Sequence, residues 1–325
     1  MSGVVLANAS LDIAFHDTYY VVKKYLWRFE SFKQLKTYTT GLLTYLLFIH
    51  SSYLLSSDKN NFLNALNIKK FIDEKSETDI KNYIEQFFVG LLEGDGTITV
   101  DFVSNFKKRV RICIALKNLE DNIFMLNLIE KYVGGRVVIE RNNRYVTWYA
   151  TNRTDIAKIF AILARYPLLT TRKQCQLDFA KDFIKSNRDI SEQEFIKLRN
   201  EKYKNQKTML DYNDKNFVIP MYFPAWVSGF IEAEGHFKLI KKANNTINSS
   251  QVIIGQNYEK YLLKAIITYF KQENKTISFI LNKGVSYYKV HLGGKDFRSL
   301  LVSHFNSYPL LGDKNSKYIE WINKH

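Results

Sequence analysis

Apolar and polar positions along this chain switch between two periods, and the series of switches occurs twice. Thr97–Phe102 and Arg109–Leu116 alternate residue by residue, the period of strands buried on one face. Val110, Ile112, Ile114 and Leu116 take one side, while Arg109, Arg111, Cys113 and Ala115 take the other. The stretch "EDNIFMLNLIEKYVGG" is apolar at helical spacing, with Gly134–Gly135 placed to cap its end. "RVVIERNNRYVTWYA" then predicts a hairpin around Asn142–Asn143. Further along, "HFKLIKK", "SQVIIGQ", "KYLLKAIITYF" and "TISFILNKGVSYYKVHL" give the same succession. The pattern predicts an α+β fold in which the order αββαββα appears twice.

Each half opens on an apolar helix that runs into two acids. Residues 87–98 read "FFVGLLEGDGTI" and residues 226–237 read "WVSGFIEAEGHF". The acidic segments lie 139 residues apart, and two "YPLL" quartets, at the close of each half, lie 142 apart. Two landmarks in one order at nearly one offset mark a duplicated unit. Gly90 and Gly94, like Gly229 and Ala233, sit four apart and line one helix face, where a second backbone can approach. Gly96 and Gly235 are expected to stop the helices in the left-handed cap conformation. If these faces pack together, Asp95 and Glu234 meet at the negative ends of two helix dipoles, where carboxylates are disfavoured. Like charges so placed raise each other's proton affinity. A hard divalent cation relieves that repulsion, and the chemistry it suits is phosphodiester hydrolysis.

Composition narrows the partners. The chain has 325 residues, a formal net charge of +15 and 46% hydrophobic residues, enough apolar material for a core and enough positive charge to attract a polyanion. Cys113 and Cys175 define no disulfide framework, and the six histidines show no zinc-binding spacing. Residues 185–216 are polar and suit a surface linker between a first half at 80–184 and a second at 217–325. Within the linker, Ser191 is a candidate cap for a short helix, with Glu194 three residues on. Residues 23–79 form an extension whose stretch 41–55, "GLLTYLLFIHSSYLL", is shorter than the roughly 20 apolar residues that span a bilayer. This N-terminal segment is a candidate for association with a membrane and for removal after translation. From Gly3 to Val22 the chain closely resembles a segment of cytochrome c oxidase subunit I, and the resemblance stops at "KKYLWRFE". An exon-derived leader at 1–22 running into an intron reading frame is what that resemblance implies.

Phe88–Gly96 ("FVGLLEGDG") and Val227–Gly235 ("VSGFIEAEG") resemble, position by position, the motif that names the LAGLIDADG homing endonucleases. The resemblance covers residues 80–321. It implies a monomer with internal pseudo-two-fold symmetry and no obligate protein partner, whose two antiparallel sheets form a saddle on double-stranded DNA. It implies that Asp95 and Glu234 bind Mg²⁺ or another divalent cation such as Mn²⁺, and that Glu93 and Glu232 support the helix interface. A basic residue five places after the proline of each "YPLL" assists the reaction, which points to Arg172 and Lys314, with Lys173 as the register-shifted alternative. A glutamine at the end of the second strand matches Gln256, whereas Leu116 stands at its counterpart and makes the two active-site halves unequal. Arg109, Arg111, Arg141, Arg144, His236, Lys238, Lys283 and Lys289 are the candidate DNA contacts, as base readers or phosphate contacts. Tyr145, Trp148, Tyr287 and Tyr288 divide between base contact and core packing. The implied function is intron homing by metal-dependent DNA cleavage in the mitochondrion, with an RNA maturase for the host intron as the alternative.

Overall fold

Ser76 accepts a hydrogen bond from the Asp79 amide through its hydroxyl and so starts the first helix, α1 (Glu77–Asp95). The computed structural model describes residues 68, 70–103, 107–186, 190–241 and 247–324. All belong to one unit, Phe62–His325. The oxidase-like leader at 1–22 and the apolar stretch 41–55 lie outside the described residues. Among the described residues no helix is long and apolar enough to cross a membrane.

After α1 come β1 (Gly96–Val103), β2 (Lys107–Lys117), α2 (Glu120–Val133), β3 (Arg136–Glu140), β4 (Tyr145–Ala150), α3 (Arg153–Arg165) and α4 (Thr171–Ser186). Two connecting helices follow, α5 (Glu192–Glu201) and α6 (Gln206–Asn216). Ser191 caps α5 by accepting from the Glu194 amide at 3.2 Å, as the linker sequence predicts. The second half is α7 (Phe223–Glu234), β5 (His236–Lys241), β6 (Ile247–Asn257), α8 (Lys260–Tyr269), β7 (Ile277–Asn282), β8 (Val285–Gly293), α9 (Lys295–Ser307) and α10 (Asp313–Asn323). Each half therefore carries one helix more than the sequence pattern predicts. The "YPLL" quartets separate two helices rather than close one, because proline disfavours a helical residue before it and cannot continue the backbone hydrogen bonds.

Each half holds a four-stranded sheet, ordered β1-β2-β4-β3 and β5-β6-β8-β7, with every neighbouring pair antiparallel. Alternation sends Ile112, Ile114, Val146 and Trp148 from one sheet, and Val252, Ile254, Val290 and Leu292 from the other, into the core at no measurable exposure. The remaining face of each sheet carries most of its charged residues, among them Arg109, Arg111, Lys238 and Lys289.

α1 and α7 meet along their small residues. A Cβ on Gly90 would overlap the Trp226 carbonyl and lie 2.8 Å from the Phe230 nitrogen. One on Gly229 would overlap the Phe87 carbonyl and lie 2.9 Å from the Leu91 nitrogen. The backbones touch, so only glycine fits at either position. Aromatic packing extends the seam, with Trp226 stacked on Phe230 at 4.6 Å between ring centroids. Beside it, the second half buries a polar relay: His304 Nε2 lies 2.9 Å from Ser228 Oγ and Nδ1 2.9 Å from the Tyr269 hydroxyl. Burial pushes the imidazole down to about 3, so this histidine is a neutral packing element rather than a charge.

Candidate active site at the paired helix ends

The close approach of α1 and α7 delivers their terminal acids to one place. A Cβ on Gly94 would overlap that of Ala233 and sit 3.5 Å from Glu234 Oε1, so the Glu234 carboxylate lies against the last turn of α1. Burial is the main cause that raises both acids, Asp95 above its ordinary range and Glu234 to about 7, and the Asp95 charge adds to the Glu234 shift. Among the described residues no ion pair holds either carboxylate.

Gly96 and Gly235 end the helices differently from expectation. Their φ/ψ values of −85°/167° and −70°/141° are extended, not left-handed. Glycine is required for space instead: a Cβ on Gly96 would lie 2.6 Å from the Leu92 carbonyl oxygen, and one on Gly235 2.6 Å from that of Ile231. The two freed carbonyls serve the site, since Lys173 Nζ donates to Gly96 O and Lys314 Nζ donates to Gly235 O. Lys173, not Arg172, therefore occupies the position equivalent to Lys314. The first half carries one extra residue between its proline and its lysine, "PLLTTRK" against "PLLGDK", which shifts the register by one. Arg172 is exposed and its guanidinium lies over the Tyr203 ring at 5.5 Å. Burial lowers the proton affinity of both lysines, and Asp95 partly restores each.

Glu93 and Glu232 hold these lysines in place from beneath. Glu93 accepts from the Leu169 and Thr170 amides at 2.6 and 2.5 Å and from Trp226 Nε1 at 3.1 Å. Glu232 accepts from the Leu311, Gly312 and Lys314 amides at 3.2, 3.1 and 2.9 Å. Each glutamate thus ties its own helix end to the turn that starts α4 or α10. Tyrosines complete the fastening across the pseudo-dyad: Tyr83 donates to the Pro309 carbonyl and Tyr222 to that of Pro167.

Burial raises Glu93 and Glu232 to about 7. An acid whose folded value lies above its unfolded value destabilises the fold once it ionises. Stability without added metal is therefore expected to be full below about pH 4.5 as far as these groups are concerned and to fall as pH rises through about 7. Thermal melts in chelator from pH 5 to 8 should show Tm declining across that window; a flat profile contradicts the assignment.

Gln256 and Leu116 occupy the same rung, each two residues beyond a core pair, Ile254–Val290 and Ile114–Trp148. Gln256 lines a cavity of about 270 Å³ with Thr97, Lys173 and Glu234. Leu116 packs its side chain against the core instead.

Of the candidate contacts, Arg109 and Arg111 stand on the outer face of the first sheet, and His236, Lys238 and Lys289 on that of the second. Arg141 and Arg144 flank the β3–β4 turn, where Arg141, Asn142 and Asn143 take φ values of 54°, 55° and 60°. Lys283, at φ 48°, turns the β7–β8 hairpin with Gly284. Trp148 is core and donates to Gly134 O at 2.7 Å, and Tyr288 packs on the core. Tyr145 and Tyr287 share the outer faces. Residues the sequence reading passed over stand there too: Tyr149 beneath Arg111, Arg136 beside it, and His291, whose Nδ1 lies 3.1 Å from Gln251 Oε1. Strand parity alone would have found them.

A divalent cation suits the donor set at the helix ends. Two hard carboxylates, unpaired and mutually repelling, face each other, and both nearby ammonium groups are committed to backbone carbonyls. Among the described residues no group of three or more His, Cys, Asp or Glu gathers as a closed metal site. Water and phosphate oxygens would complete the coordination.

The LAGLIDADG endonuclease profile matches residues 88–183 and 227–325, and the chain belongs to this family. A probable intron-encoded endonuclease aI3 of Dictyostelium citrinum is 35% identical over 259 residues, 77% of this chain and 98% of the relative. One from Debaryomyces hansenii is 27% identical over 350 residues, and the alignment takes in 99% of this chain but about half (48%) of that relative's length. Among solved structures, the LAGLIDADG homing endonuclease I-GzeII in complex with its DNA target superposes with a TM-score of 0.56 at 19% identity, over 74% of this chain and 88% of that one.

Proposed function

We propose that this chain is a site-specific double-strand DNA endonuclease of intron homing, hydrolysing phosphodiesters with Mg²⁺ or a similar divalent ion. The single observation that carries the reading is the meeting of Asp95 and Glu234 at touching helix ends. A bound cation would supply charge neutralisation and an activated water. Asp95 and Glu234 would hold it. Lys173 and Lys314, anchored on the carbonyls beside those acids, would stabilise charge that builds at the scissile phosphate. Gln256 would orient water at one of the two ends. Arg109, Arg111, His236, Lys238, Lys289 and the turn residues Arg141, Arg144 and Lys283 would carry the duplex.

The relatives' names and the oxidase-like leader support an intron-encoded enzyme acting in the mitochondrion on an intronless copy of its host gene. The test is cleavage of duplex DNA spanning the intron insertion site, with and without Mg²⁺. Double-strand breaks only with metal are expected, and binding to DNA should weaken steeply as salt rises. Mg²⁺ should also raise Tm more at pH 8 than at pH 6, because protons compete for Glu234 below about 7. No cutting of any duplex, with tight binding of host intron RNA, would replace this reading with the maturase.

A further inference from the structure

One buried carboxylate makes the two ends of the site unequal. Glu259, the residue before α8 in the second half, is 2% exposed and reaches across to the first half. Its Oε1 accepts from the Thr171 amide at 2.9 Å, the Thr171 hydroxyl at 2.8 Å and the Arg172 amide at 3.5 Å. These are the first residues of α4, the helix that carries Lys173 to Gly96 O. Its Oε2 is buried with no hydrogen-bond partner in the protein, and so is Thr170 Oγ1. Both residues line the cavity of about 270 Å³ that also takes in Lys173, Glu234 and Gln256. Buried polar atoms without partners are costly, and here two of them belong to residues that line one cavity beside the helix ends.

The other end is built differently. Leu119 stands where Glu259 does, as the residue before α2, and is 40% exposed. The first amide of α10 is held by a neutral group, Asn122 Oδ1, which accepts from Asp313 N at 3.1 Å, while the Asp121 carboxylate accepts from the Ser316 hydroxyl at 2.7 Å. Leu116 replaces Gln256 on that side.

We propose that Glu259 is a positioning residue for one of the two catalytic centres. Through Oε1 it fixes the first turn of α4 and with it the Lys173 ammonium. At the Lys314 centre the crossing carboxylate, Asp121, takes the Ser316 hydroxyl and leaves the first amide of the helix to Asn122, so the two DNA strands are cut by centres of different dependence. This rests on the endonuclease reading.

The experiment follows each strand separately, on a target duplex with a different dye on each 5′ end, at fixed Mg²⁺. Glu259→Gln keeps the shape but exchanges the charged acceptor for a neutral one. It is expected to slow the strand that Lys173→Met slows, by roughly 10-fold or more, as loss of a supporting hydrogen bond at a site does. The strand that Lys314→Met slows should be cut at the wild-type rate, and nicked duplex should accumulate. Thr171→Val, which removes the hydroxyl donor, is the second variant and should slow the same strand if Glu259→Gln folds poorly. Equal slowing of both strands, no slowing of either, or slowing of the Lys314 strand overturns the proposal alone. A wild-type chain that cuts no duplex overturns it together with the proposed function.

Discussion

Asp95→Asn is expected to abolish cleavage while leaving the protein folded and bound to DNA, and Glu234→Gln should do the same. Either change removes one of two carboxylates that together carry the negative charge at the helix ends. The loss of metal-borne charge stabilisation is several kcal/mol, so a fall of about 10³-fold or more in the single-turnover rate is expected. Stability should move the other way. Burial and the Asp95 charge are what raise Glu234 to about 7, and the uncharged amide of Asp95→Asn removes the second of these. A variant that binds its target normally and melts no lower, yet does not cut, separates a chemical role from a structural one. Retention of cleavage by Asp95→Asn would sink the assignment of the site.

The second large effect concerns the seam. Gly90→Val should destabilise the whole unit, and so should Gly229→Val. Each added side chain meets a carbonyl and an amide nitrogen of the facing helix, groups that have no rotamer by which to withdraw. Helix propensity favours replacing glycine by at most about 1 kcal/mol. Overpacking against fixed backbone costs about 3 kcal/mol or more, so the clash wins. A fall in Tm of about 10 °C is expected, given roughly 2–4 °C per kcal/mol for a unit of this size. Because the acids ride on the same seam, cleavage should fall with the spacing even below the melting range. Gly284→Ala is the control: nothing lies within 4 Å of a Cβ there, and only its φ of 77° resists the change.

Periodicity carried most of the fold. Strand alternation and helical spacing located all eight strands and both motif helices, since both halves bury one face of each element against a common core. The split at "YPLL" was missed because the apolar pattern continues through the proline into α4, and only the backbone chemistry of proline breaks it. The helix-end acids were legible because the duplication made a local conflict with the helix dipole visible twice. Register was less so: counting from Pro167 gives Arg172, with Lys173 as the shifted alternative, and the contact of Lys173 with Gly96 O decides between them. Glycine at 96 and 235 was anticipated for its freedom of φ, whereas the structure uses its lack of a side chain beside Leu92 and Ile231. The sequence did not mark what Glu259 does. Its partners lie 87 and 88 residues away, and the residue in its position before the matching helix is a leucine, with the repeat's glutamate, Glu120, one place on and exposed.

The crossed tyrosines bear on how such a chain can be recombined. Tyr83 fastens the proline turn of the second half and Tyr222 that of the first, while Trp226 steadies Glu93 from the opposite helix. Neither half is a free-standing cartridge. A chimaera that borrows one of them from a relative would inherit a lysine-bearing turn whose latch belongs to the discarded partner, so exchange points suit the α5–α6 connection only when both latch tyrosines travel with compatible turns.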